Sequence, residues 1–299
     1  MLVEEVLAQA VARLGNDGVE SPRLDAELLL AHVLGANRAA VLARPDRHLT
    51  PKQLTRYRDL VSRRAEREPL AYIVGQREFF GLEFAVDHRV LIPRPETELL
   101  VERALQIARS RGRGIQIADV GAGSGAIAVT LAVNLPEATV YALDESAGAL
   151  VVTARNARHH GVGGRVHCLQ GNLLAPLEAP VDVVTANLPY VAADEWQALP
   201  PEIREHEPRA ALDGGADGLY LIGSLLAVAG PYLQPDGVLL LEIGACQGSA
   251  VMALAEQYFP RAGVRLLQDY AGLDRLVEIR LSNPTNSGLP LAGFSSIMP

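Results

Sequence analysis

Apolar residues recur at intervals of three and four from Val3 to about Tyr72, first as Val6, Leu7, Ala10, Val11 and Leu14, then as Leu24, Leu28, Leu29, Val33 and Leu34. This spacing predicts short amphipathic helices. The turn clusters Gly15-Asn16-Asp17-Gly18 and Gly35-Ala36-Asn37 separate them. Ser21-Pro22 and Thr50-Pro51 each place a capping hydroxyl before a proline suited to a first helical turn. The last helix carries Arg56, Arg58, Arg63, Arg64 and Arg67, interleaved with Asp59, Glu66 and Glu68. That pattern reads as a solvated face, with a partner-binding face as the alternative. Residues 1–74 are thus expected to form a helical N-terminal domain, a candidate for substrate docking.

The period then changes. Between 75 and 95, Phe79, Phe80, Leu82, Phe84 and Val86 suit a hairpin-like connector. From 96 to 282 apolar runs at 115–120, 139–143, 165–170, 181–186 and 238–243, mostly separated by helical stretches, predict an α/β fold with a parallel sheet covered on both faces. The runs at 264–269 and 276–281 are joined by a turn too short for a helical crossover, so an antiparallel terminal pair is expected. Residues 283–299 show no periodicity and read as a flexible tail.

Composition narrows the class. The chain has 299 residues, 49% of them hydrophobic, enough to fill a large core. A formal net charge of -8 argues against a surface built to neutralise many phosphates, and so against direct nucleic-acid binding. Cys168 and Cys246 lie far apart without metal-ligand spacing and are expected to be plain buried thiols in a reducing compartment. No basic leader or long apolar segment stands at the N-terminus, so a cytoplasmic protein without membrane contact is expected.

The first candidate chemistry is a glycine-rich turn. Asp119-Val120 is followed by Gly121, Ala122, Gly123, Ser124 and Gly125, between a predicted strand and a helix at 127–135. Such a turn lets backbone approach a nucleotide-like cofactor at a strand's carboxyl end, and Asp144, closing the next strand, can bind ribose hydroxyls. The local motif does not separate NAD from S-adenosylmethionine.

The second is Asn187-Leu188-Pro189-Tyr190, at the end of the fourth strand of this sheet. In a doubly wound sheet that end lies beside the first strand, across the cofactor crevice. An amide, a stiff proline and an aromatic ring there can hold a planar NH2 group in line with an activated methyl. The Asn187 side-chain oxygen and the Leu188 carbonyl would each accept one N–H, and Tyr190 would cover the planar group. The same four residues also suit a plain strand-ending turn.

Taken together, the sequence resembles the peptide chain release factor glutamine methyltransferases, from the helical N-terminal region to about Leu281. The resemblance rests on the 92–98 segment Ile-Pro-Arg-Pro-Glu-Thr-Glu, the glycine turn 119–126, Asp144-Glu145-Ser146, the 187–190 tetrapeptide, His206-Glu207-Pro208, Asp217-Gly218-Leu219, Glu242-Ile243-Gly244 with Gln247-Gly248, and Asp274-Arg275. It implies a Rossmann-like, class I S-adenosylmethionine-dependent methyltransferase sheet, seven-stranded and mostly parallel. It also implies methylation of the glutamine side-chain nitrogen in the Gly-Gly-Gln motif of class 1 release factors, which modulates translation termination. S-adenosylmethionine would be the donor and no metal is implied. By the same resemblance Gly121, Ala122, Gly123, Ser124 and Gly125 cradle the cofactor, Asp144 binds its ribose, Asn172 and Leu173 meet its adenine, Asn187 borders it, and Asn187 to Tyr190 grip the substrate.

Two positions depart from the family pattern. Leu188 stands where proline is usual, a form seen in ribosomal RNA adenine dimethyltransferases, and Asn172 stands where aspartate is common. RNA adenine methylation is therefore the rival reading, with a non-catalytic nucleotide-binding module behind it. Leucine still offers the backbone carbonyl, and an amide oxygen still accepts a hydrogen bond, without charge assistance. His159-His160, at a predicted helix end, suits contact with the helix dipole better than metal binding. His206-Glu207-Pro208 reads as a loop shaping the substrate pocket. Arg94, Glu96 and Thr97 either approach the cofactor or incoming loop, or cap the helix that starts at Glu98. Trp196 either borders the substrate mouth or packs.

Overall fold

The computed structural model describes residues 1–112 and 114–282. The expectation of a tail at 283–299 lies outside them. Five helices come first: α1 (Val3–Asn16), α2 (Pro22–Leu34), α3 (Arg38–Leu42), α4 (Pro51–Ala65) and α5 (Leu70–Val74). Their apolar stripes meet in one core that includes Leu14, Leu29, Leu30, Tyr57 and Val61.

Three local expectations are corrected here. Thr50 caps α4, accepting from the Gln53 amide at 3.3 Å, but Ser21 makes no side-chain cap at α2. On α2, Leu24 is 42% exposed while Asp25 and Glu27 are buried. The acids turn inward because cations reach them: Arg64 donates to Asp25 at 2.7 Å, and Arg23 and Arg38 donate to Glu27 at 2.9 and 2.6 Å. The arginine-bearing helix α4 is accordingly not a uniformly solvated face, since Arg64 is buried within this cluster.

A hairpin follows, β1 (Gln76–Phe79) and β2 (Leu82–Ala85). Its two-residue loop, Phe80-Gly81, has φ of 53° and 72°. Paired positive φ values suit the right-handed twist of hairpin strands. A 3-10 turn (Pro95–Thr97) then leads into α6 (Glu98–Arg111).

The rest alternates strand and helix: β3 (Gln116–Val120), α7 (Ala126–Asn134), β4 (Thr139–Asp144), α8 (Ala147–His159), β5 (Val166–Gln170), β6 (Val181–Ala186), α9 (Pro201–His206), α10 (Tyr220–Ala229), β7 (Leu233–Glu242), α11 (Gly248–Tyr258), β8 (Gly263–Gln268) and β9 (Asp274–Arg280). The seven strands β3 to β9 form one sheet in the order β5-β4-β3-β6-β7-β9-β8. β9 runs antiparallel to β7 and to β8, and the other pairs are parallel. This is the mostly parallel sheet with an antiparallel terminal pair that the periodicity predicts. β7 begins five residues before the predicted run, at Leu233, and its pairing with β6 shifts register between Val181 and Val183.

Alternating side chains leave the sheet on opposite faces. Ile117, Val183 and Leu240 enter a core with α6 and α7, whereas Ala118, Val184 and Leu239 enter a second core with α10 and α11. Both faces are therefore covered, as a parallel sheet requires. Strand order reverses between β3 and β6, which opens a crevice at their carboxyl ends.

Candidate active site

A cavity of about 220 Å³ occupies that crevice, walled by the ends of β3, β4, β5 and β6. Gly121, Gly123, Asp144, Leu173, Asn187, Leu188 and Pro189 all line it.

The glycine turn sits tightly against its surroundings. Gly121 has φ of 76°, and a Cβ there would come 3.3 Å from Leu188 Cδ2 and 3.6 Å from the Asn187 carbonyl oxygen. At Gly125, with φ of 80°, a Cβ would meet Thr153 at 2.9 Å. Left-handed backbone and missing space both demand glycine. The amides of Gly121 and Ala122 donate to the Leu143 carbonyl at 2.9 Å each, and that of Gly123 donates to Asp144 Oδ2 at 2.9 Å. From behind, Thr153 donates to the Gly123 carbonyl and Asn156 to the Ser124 carbonyl. Ala122 and Ser124, both buried, thus shape the turn from within and do not line the cavity.

Asp144 holds the turn with one oxygen and accepts from the Ser146 amide with the other, at 2.8 Å. A carboxylate has about four lone-pair sites, so capacity remains for vicinal hydroxyls in the cavity. With the apolar walls of Leu143 and Leu173, this donor and acceptor set fits a nucleoside-bearing ligand. Leu173 has φ of 48°, a strained value for leucine. Its neighbour Asn172 is exposed and does not line the cavity.

Across the cavity, the Asn187 side chain donates its Nδ2 to Thr97 Oγ1 at 3.1 Å. One of the two amide N–H groups is thereby taken by Thr97, on the side away from the amide oxygen, which stays available to accept from a ligand. Thr97 is 4% exposed and stands at the start of α6, yet it makes no side-chain cap. Beside them, at the end of β7, lies Glu242, 1% exposed, with neither carboxyl oxygen closing a hydrogen bond. Burial pushes its pKa up to about 7, aided by Glu96 and opposed by Thr97, Arg275 and Asn187.

Tyr190 is held beside the cavity and not in its wall. Its carbonyl accepts from Gln247 Nε2 at 3.0 Å, while Gln247 Oε1 accepts from the Gly244 amide at 2.9 Å. Burial, with Glu242 nearby, pushes the Tyr190 hydroxyl up to about 12, so the ring stays neutral.

The remaining candidates are anchors. Glu207 accepts from the Ile92 amide at 3.1 Å and from Arg94 at 2.5 Å, and Pro208 lines the cavity. His206 contacts the Glu66 carbonyl at 3.3 Å, and Trp196 stacks under Arg209 at 4.8 Å. His160 meets the Glu83 carbonyl at 2.8 Å. Cys168 is half-buried and Cys246 is exposed, which corrects the expectation of two buried thiols. Cys246 stands in the turn that follows β7.

Sequence reasoning missed Glu242, Thr153, Asn156 and Gln247 as individual residues of the site. For Glu242 a signal existed: an acid ends the apolar run Val238-Leu239-Leu240-Leu241. Among the described residues no group of three or more His, Cys, Asp or Glu could hold a metal ion, and no helix is long and apolar enough to cross a membrane.

Residues 5–75 match the family described as PrmC N-terminal domain, and residues 95–207 match the Methyltransferase small domain. The chain is 42% identical over 283 residues to a release factor glutamine methyltransferase of Geobacter sulfurreducens, covering 93% of this chain and 96% of that one. It is 45% identical over 276 residues to a protein of the same name from Moorella thermoacetica, covering 92% and 97%. Among solved structures, a methyltransferase from Pyrococcus furiosus is similar in fold, with a TM-score of 0.51 at 17% identity over 69% of this chain and 91% of that one.

Proposed function

This chain belongs to the release factor glutamine methyltransferase family, and we propose that it methylates the side-chain amide nitrogen of the glutamine in the Gly-Gly-Gln motif of class 1 peptide chain release factors, with S-adenosylmethionine as donor. The reaction belongs in the cytoplasm, where it modulates translation termination. One observation carries the reading: Asn187, its amide nitrogen donating to Thr97, shares a cavity wall with the glycine turn it abuts.

Gly121, Gly123, Asp144 and Leu173, which line the cavity, would hold the donor, with Asp144 on the ribose and Ala122, Ser124 and Gly125 shaping the turn. S-adenosylmethionine supplies a methyl on a positively charged sulfur, which makes that carbon electrophilic. The chain's own task is to prepare the acceptor. A carboxamide nitrogen is a poor nucleophile because its lone pair is delocalised into the carbonyl. Asn187 Oδ1 and the Leu188 carbonyl each accept one N–H from it, which aims the lone pair and favours pyramidal nitrogen. Pro189 limits the loop's freedom and Tyr190 covers the planar group. Orientation of this kind is worth up to about 7–11 kcal/mol of barrier. The departing proton needs no strong base, because the nitrogen becomes acidic as it takes the methyl.

Leu188 in place of proline leaves the accepting carbonyl intact. The acidic net charge of -8 supports a protein acceptor over direct nucleic-acid binding. Labelled S-adenosylmethionine, offered with a release factor or with structured RNA, tests the assignment. Label is expected in the release factor, and label only in RNA overturns the reading. Asn187→Ala is expected to retain cofactor binding and lose transfer by about 10²–10³-fold.

A further inference from the structure

We propose that Thr97 and Glu242 are positioning residues that fix which end of the Asn187 amide faces the substrate. The inference rests on Asn187 acting as the substrate clamp. A carboxamide presents two ends of similar shape, related by a half-turn about a soft torsion, and only the oxygen end can accept the substrate's N–H.

Three observations set the orientation. First, Asn187 donates Nδ2 to Thr97 Oγ1 at 3.1 Å. Second, Thr97 holds the residue type and place of a helix cap but makes no cap bond, so its hydroxyl oxygen is not taken up by an amide of α6 and can accept from Asn187. Third, Glu242 is 1% exposed and neither oxygen closes a hydrogen bond of full geometry, while the Thr97 and Asn187 side chains lie near enough to favour its charged form. The register places it there: Ala186 of β6 stands opposite Leu241 of β7, so Asn187 and Glu242 are the next residues on adjacent strand ends.

A carboxylate only accepts, and a protonated Glu242 still keeps one acceptor oxygen. The Thr97 proton is therefore drawn towards Glu242, which leaves the Thr97 oxygen as an acceptor for the Asn187 N–H. With the amide turned over, the Asn187 oxygen would face the carboxylate side and its NH2 group would face the cavity. Glu96 adds negative charge near Glu242, and Arg275 offsets it.

Thr97→Val removes the hydroxyl at nearly constant volume, and Thr97→Ser keeps it. Glu242→Gln replaces the acceptor-only end with a group that also donates. It is expected to fold, because it removes a carboxyl that burial disfavours. Two readouts decide. In nitrogen-15 spectra, the Asn187 side-chain amide, assigned by its loss in Asn187→Ala, should exchange with solvent about tenfold faster in Thr97→Val than in the wild type, and at the wild-type rate in Thr97→Ser. In transfer to a release factor, Thr97→Val and Glu242→Gln should lower kcat by about 10²-fold while S-adenosylhomocysteine binding stays within about threefold, and Thr97→Ser should keep kcat. Unchanged amide exchange in Thr97→Val, or unchanged kcat in either variant, overturns the proposal. A wild-type protein that transfers nothing to release factors overturns the function instead, and amide exchange then decides the orientation by itself.

Discussion

Arg64 on α4 and Glu202 on α9 meet at 2.9 Å through side chains that are 7% and 16% exposed. Arg64 also holds Asp25 at 2.7 Å, and Arg67 joins Glu202 at 2.6 Å. The helical N-terminal region is thereby tied to the segment that follows the tetrapeptide. Arg64→Ala strips Asp25 of its cation in a buried setting and is expected to cost about 3–5 kcal/mol in urea unfolding. Glu202→Gln leaves the Arg64 and Asp25 pair intact and should cost less, about 1–3 kcal/mol. Equal losses in the two variants would show that the pair with Asp25 is not the dominant contact.

Gly218 has no room for a side chain. A Cβ there would stand 2.2 Å from the Tyr190 carbonyl oxygen and 2.6 Å from Gln247 Nε2, at φ of 74°. Gly218→Ala must displace the loop that carries Tyr190, while Asp144 and the glycine turn lie elsewhere. Transfer is expected to fall by about 10²-fold with S-adenosylhomocysteine affinity little changed. Calorimetric binding beside a transfer assay checks the split, and a parallel loss of both would place the damage in the cofactor side.

Asp119 ends fully buried beneath the glycine turn, accepting from the Thr185 hydroxyl at 2.9 Å and from the Ala128 amide at 3.1 Å. Burial pushes its pKa up to about 7, despite those two donors. The folded state therefore binds this proton more tightly than the unfolded chain. The associated stability is fully present below the unfolded value, near pH 4, and is lost as pH rises to about 7. Asp119→Asn cannot titrate. Its stability relative to the wild type should rise between about pH 4 and 7 and then level off. Denaturant midpoints across that range test this, and a flat difference would mean that Asp119 stays ionised.

The sheet was legible because β-strands and helices write their periods locally. The runs ending at Val120, Leu143 and Ala186 announced the parallel strands, and the short turn at 270–274 announced the antiparallel pair. Contacts between distant residues left no such trace. Leu24 reads as core and Asp25 as surface until an arginine 39 residues away reverses them. Ser21 and Thr97 both carry capping hydroxyls, yet Ser21 makes no cap and Thr97 turns to an amide 90 residues distant. The tetrapeptide and glycine turn were visible as separate strings, but their contact through Gly121 and Leu188 required the sheet order.

Thr153 and Asn156 hold the carbonyls of Gly123 and Ser124, and Asn156 also exchanges hydrogen bonds with both backbone groups of Ala85 on β2. Three glycines would ordinarily make the turn the most disordered stretch of such a fold, with the heaviest entropic loss when a ligand ordered it. Here that ordering is completed during folding. The turn meets its ligand already rigid, so the free energy of contact appears as affinity instead of being consumed by stiffening a loop.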